Sequence, residues 1–140
     1  MGIRRNLIAA VSLCAGLAVA PAMVEGHHSF TAEFDQNKPV ELRGTVTKME
    51  WINPHSWIHL AVKTADGTIE NWEIELGPPN ALFRRGWKRD SMPAGTEAVV
   101  VGYRARDGSL KANGRDATLP DGTRLFLGSS ATPPETAPQK

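Results

Sequence analysis

Imidazole is the most versatile donor in this chain, and it comes in two pairs: His27 with His28, and His55 with His59. The second pair lies in MEWINPHSWIHL, residues 49–60, with two of the four tryptophans and one of the four methionines. On an extended chain, side chains alternate between faces. His55, Trp57 and His59 then share one face, and Ser56, Ile58 and Leu60 the other. Carried back through Pro54, the same alternation would add Met49 and Trp51 to the histidine face. Imidazole suits copper, zinc, nickel or iron, and a thioether adds a preference for Cu(I). The stripe points to a transition-metal site, copper first, with His27, His28, His55, His59 and Met49 as candidate ligands.

Spacing limits how that site can be built. On a strand, i and i+4 lie ~13 Å apart at ~3.3 Å per residue, so His55 and His59 need a bend to share one ion. One strand histidine completed by an arm histidine is geometrically easier. A chain processed after Gly26 would begin at His27, whose amine and imidazole form a chelating pair suited to Cu(II). The competing reading is structural. His55 caps loop backbone after Pro54, His59 bonds across a sheet, and the tryptophans fill a core.

A second set of side chains suits contact with a partner or ligand: Trp51, Asn53 and Trp57 around the NPHS bend, and Arg84, Arg85 and Trp87. Paired arginines can grip an anion through bidentate hydrogen bonds, or simply form a solvated face. Catalysis has little footing. The chain has no G-x-S-x-G elbow, H-E-x-x-H pair or phosphate loop. Ser29 and Ser56 each adjoin a histidine only in sequence. Binding, not an enzymatic reaction, is the expectation.

The elements that must position these residues are read as short strands. Alternation places strands over residues 40–49, 55–64, 68–76 and 97–105, with weaker ones over 110–119 and 123–127. Ala65-Asp66-Gly67 is a hairpin turn, and Gly44 suggests a bulge or a tight bend. In the third strand Trp72 is expected inward with Ile74 and Leu76. Glu73 and Glu75 share its other face with no obvious acid–base partner. Asn80 is a plausible N-cap for a short helix over residues 81–88. An all-β fold follows, a small OB-like β-barrel of five to six strands with one short helix between strands 3 and 4. The alternative is an open β-sandwich.

The ends read differently. Arg4 and Arg5 precede an apolar run from Leu7 to Ala20, so residues 1–26 are expected to be a signal peptide, cleaved after residue 22 or 26. The only cysteine, Cys14, lies inside it, leaving no disulfide or thiolate site in the exported chain. Removing residues 1–26 takes Arg4, Arg5 and Glu25 from totals of 16 basic and 15 acidic residues, leaving 14 of each. A balance near zero offers no electrostatic case for nucleic acid, and no integral membrane segment remains after signal removal. Residues 27–128 make one domain with one core, its polar arm anchored by Phe30 and Phe34. The Pro- and Thr-rich residues 129–140 are expected to be disordered.

The combination of HHSF, KPVELRGTVTKMEWINPHSWIHL, GPPN with LFRRGW, and LPDG resembles a family of small exported bacterial proteins classed as a domain of unknown function. The resemblance runs from about His27 to Gly128, and HHSF and NPHSW are its specific pieces. A weaker similarity is to the OB-fold periplasmic copper chaperones of the Cus efflux system. There Gly44-Thr45-Val46 followed by Ile58-His59-Leu60 matches the spacing that feeds a His/Met site, which implies a ligand role for His59. The Trp-x-x-Met-x-Met pattern of those chaperones has no counterpart here. The expectation is an exported periplasmic binding protein of a Gram-negative bacterium that handles copper. The alternative is a non-metal interaction module, an accessory subunit of a cell-envelope complex.

Overall fold

A computed structural model describes residues 30–129 and Ala131. The expected leader, His27, His28, Ser130 and residues 132–140 lie outside them. The chain is mostly β: β1 (Phe34–Glu50), β2 (Trp57–Lys63), β3 (Ile69–Glu75), β4 (Glu97–Ala105), β5 (Lys111–Thr118) and β6 (Arg124–Phe126). A helical turn over residues 30–33 precedes β1, and α1 (Pro79–Arg84) joins β3 to β4. No helix among the described residues is long and apolar enough to cross a membrane.

The six strands form one sheet in the order β3-β2-β1-β4-β5-β6, and β3 also pairs in parallel with β5. Each of the five longer strands therefore has a neighbour on both sides. β1 serves two partners: its first part pairs with β4, its last part with β2, and the two overlap at Gly44 and Thr45. At Gly44 the backbone of β2 comes close to β1. A Cβ there would lie 2.4 Å from the Ala61 carbonyl oxygen, so only glycine allows the approach.

Alternation holds where it is strongest. Ser56, Ile58 and Leu60 are buried while His55, Trp57 and His59 are half-buried on the opposite face. Ile58, Leu60, Ile74 and Val100 are at most 1 % exposed at the centre of the core, and Trp72 turns inward among them. The expectation for Met49 and Trp51 fails. Met49 pairs directly with Ile58 and packs on the core, and Trp51 packs there too. The count runs back from His55, and the reversal of the chain over residues 51–56, between β1 and its antiparallel partner β2, breaks it.

The helix begins two residues earlier than its sequence suggested, and ends at Arg84. Pro78 is the N-cap without a side-chain cap bond, and Pro79 opens the first turn, where its fixed φ fits and its missing N–H costs nothing. Asn80 therefore sits inside the helix. At the N-terminal side Phe30, Phe34 and Ala105 form a second small cluster, with Ala131 packed against it. Ser129 is also buried, so the folded unit runs slightly past residue 128.

Candidate functional site

The strongest concentration of buried polar chemistry lies between the outer face of β3 and β5 and the segment that enters β1. Trp72, Ile74 and Leu76 take the inner face of β3, which turns Glu75 outward. An outward carboxylate would normally be solvated. Glu75 instead stays only 8 % exposed, because Phe30 and Phe34 help to enclose it in a cavity of about 170 Å³ also lined by Glu33, His55 and Asn113.

Three side chains meet at its floor. The parallel pairing sets Asn113 of β5 directly beside Glu75 of β3, and Asn113 Nδ2 donates to Glu75 Oε1 at 3.0 Å. His55 Nδ1 lies 3.4 Å from the same oxygen. His55 is held there because its neighbour Ser56 is stitched to the end of β3: Leu76 N–H donates to Ser56 O and Ser56 N–H to Gly77 O. Burial pushes the Glu75 carboxyl above its ordinary pKa. His55 and the Asn113 hydrogen bond oppose that rise, Glu33 adds to it, and Lys111 opposes it more weakly. Asn113 is 4 % exposed, and its Oδ1 is buried with no hydrogen-bond partner.

His59 belongs to a different group. Its Nε2 lies 3.6 Å from Glu50 Oε2, longer than a hydrogen bond, and Lys48 Nζ contacts the other Glu50 oxygen. The Lys48 hydrogen bond is the main reason the exposed Glu50 carboxyl falls below its usual pKa, and His59 lowers it further. The two strand histidines thus face separate carboxylates, which agrees with the spacing argument. Among the described residues no three His, Asp or Glu side chains converge as a metal cluster.

The other sequence candidates are dispersed. Met49 faces the core. Trp51 stacks on Phe83 with ring centres 4.8 Å apart and meets the edge of Trp87 at 5.8 Å. Trp87 is buried, with its Nε1–H donated to Phe126 O. Trp57 stays half-buried on the outer face, cross-strand from Glu75, with Lys111 Nζ 5.9 Å from its ring centre. Trp51 and Trp57 therefore do not form one patch. Asn53 and Arg84 are exposed, and Arg85 lies over the Phe126 ring at 4.1 Å.

Sequence reasoning had placed Glu75 on its polar face but without a partner; the partners are His55 and Asn113. Asn113 was missed outright. The available signal was the arm itself, since Phe30 and Phe34 need an apolar seat and must cover something polar to reach it.

The chain belongs to DUF6152, a family of unknown function, whose model matches residues 14–115. The matched span contains Glu33, His55, Glu75 and Asn113. No curated protein and no solved structure matches the chain.

Proposed function

We propose, from membership of a family that assigns no activity, that this is an exported periplasmic small binding protein that holds a transition-metal ion, with copper the leading candidate, at His55. The observation that carries the reading is the contact between His55 Nδ1 and the buried Glu75 carboxylate. A neutral imidazole that directs Nδ1–H at a carboxylate keeps its Nε2 lone pair free. Metal-ligating histidines are typically oriented in this way.

The second donor in this reading is His27 or His28 of the arm, which lie outside the described residues, three and two positions before Phe30 in the sequence. His59, four residues along the strand and ~13 Å from His55, is outside this ligand set. The apolar run behind Arg4 and Arg5 supports export. The ring of pairings β1-β2-β3-β5-β4-β1, with α1 between β3 and β4, supports an OB-like barrel as the scaffold.

The test is a Cu(II) titration of the processed chain with its native N-terminus, read by tryptophan fluorescence and by mass. Trp57, beside Glu75, is the expected reporter. Stoichiometric binding is expected in the parent, with its loss in His55→Ala and little change in His59→Ala. A parent that binds no copper, or a His55→Ala chain that binds normally, refutes the reading.

A further inference from the structure

The near-zero charge balance of the exported chain hides a local imbalance. Arg84, Arg85, Lys88 and Arg89 fall within six positions, and between residues 84 and 90 only Asp90 carries a negative charge. All four cations are exposed, and among the described residues none of them has a carboxylate partner. The segment that carries them is anchored from beneath. Leu82, Trp87 and Met92 are buried, the Arg85 and Trp87 N–H groups both donate to Leu82 O, and Lys88 N–H donates to Ser91 Oγ. With the apolar side chains committed to the core, the charged ones are left outside as a ridge at the end of α1.

Aromatic rings set where two of these cations lie. Arg85 Cζ sits 4.1 Å from the Phe126 ring centre and Arg89 Cζ 5.8 Å from that of Phe83, within reach of cation–π attraction. Because they rest on different rings, they spread their charge over a face and do not grip one anion between them. The other side of that face is apolar. Phe83 stacks on Trp51, and the next residue, Ile52, leaves 49 % of its surface in water.

We infer that this face docks on a bilayer containing anionic phospholipid, with Arg84, Arg85, Lys88 and Arg89 against the headgroup phosphates and Ile52 in the interface. The inference goes beyond the metal reading and does not rest on it. A polyanion dissolved in water would meet the cations and gain nothing from Ile52. A membrane surface takes both, since charge attraction and buried apolar area add in interfacial binding.

The experiment is co-sedimentation of the processed chain with vesicles of phosphatidylcholine alone or mixed one-to-one with phosphatidylglycerol. Binding is expected only to the mixed vesicles and should fall as salt is raised. Each Lys or Arg close to an anionic leaflet raises partitioning about fivefold, so Arg84→Gln with Lys88→Gln should weaken binding about 30-fold; Ile52→Ser should weaken it too. Arg43→Gln with Lys63→Gln removes the same charge at the far end of β2, where Lys63 lies six residues, or ~20 Å, from Trp57, and should leave binding close to that of the parent. All five substituted side chains are exposed, so none of these variants removes a core contact. Equal binding to the two kinds of vesicle, or an equal loss in the two double variants, overturns the inference. So does soluble polyphosphate bound as tightly as the mixed vesicles, or release of the protein from them by inorganic phosphate and not by chloride of the same ionic strength, which would mark a discrete phosphate site in place of a bilayer.

Discussion

Replacing Gly102 with alanine probes the close approach of β4 to β5 that puts Asn113 in place. Gly102 is buried in β4 and pairs with Gly114 of β5 beside a register shift. A Cβ there would lie 2.3 Å from the Asn113 carbonyl oxygen, 3.1 Å from its carbon and 3.2 Å from Gly114 Cα. All three are backbone atoms, so no side-chain rotation relieves the clash. Ordinary contact begins near 3.4 Å, so β5 must retreat by roughly 1 Å in a close-packed interior. Overpacking of this kind costs ~1–3 kcal/mol, and the lower unfolded-state entropy of alanine offsets ~0.4–1 kcal/mol. A net loss of about 1–2 kcal/mol lowers the melting temperature of a domain this size by ~5–15 °C. The atom pushed belongs to Asn113, so the Nδ2–Oε1 contact to Glu75 should loosen and Cu(II) affinity should fall with stability. Gly44→Ala is the comparison. Its clash with Ala61 O is similar, at 2.4 Å, but it pairs with Val62, five residues along β2 from Trp57, or ~16 Å. Thermal melts and Cu(II) titrations of both variants are expected to show similar destabilisation and a site defect only in Gly102→Ala. A Gly102→Ala chain that melts within about 2 °C of the parent refutes the reasoning.

Two further outcomes are expected. The Asp66 carboxylate accepts hydrogen bonds from the Thr64 hydroxyl and from Thr68 N–H at 3.0 Å, and its pKa is drawn from 3.8 down to about 2. Its folded value lies below its unfolded one, so its contribution to the 64–68 turn is present above pH 3.8 and lost as pH falls through about 2; a carboxyl titration by NMR with a midpoint near 4 would contradict this. Phe30 packs at 5.9 Å against Phe34 and edge-on at 5.7 Å against Tyr103. Phe30→Ala should cost about 3 kcal/mol, the low end for a buried aromatic in so small a cluster, and should expose residues 30–39 to protease or hydrogen exchange before global unfolding. Unchanged protection there would show that Phe30 does not secure the segment over Glu75.

How much was legible can be judged residue by residue. β2 was readable because its two faces differ in polarity, and β4 because EAVVVGYRA places branched apolar side chains on a pleated surface. The turn at Asp66-Gly67 was readable because Gly67 takes φ 90°, a conformation that favours glycine. Met49 and Trp51 were misplaced because alternation counts residues along one strand and does not survive the reversal of the chain over residues 51–56. Asn80 looked like a cap by type, but Pro78 and Pro79 had already set the backbone for entry into the helix.

The candidate site divides in the same way. Residue type and local order determined that this chain offers imidazoles on an outer strand face, no cysteine outside the expected leader, and an arm with two phenylalanines that need a seat. Those properties follow from neighbours a few positions apart. Tertiary structure alone decided that His55 meets Glu75 while His59 meets Glu50, that Met49 turns away, and that Asn113 arrives beside Glu75 from 38 residues further along the chain. The parallel pairing of β3 with β5 produced that meeting. Pairing between distant strands depends on how the whole set of strands packs around one core, and burial of an outward carboxylate depends on what then covers it. Neither quantity has a local pattern in the sequence.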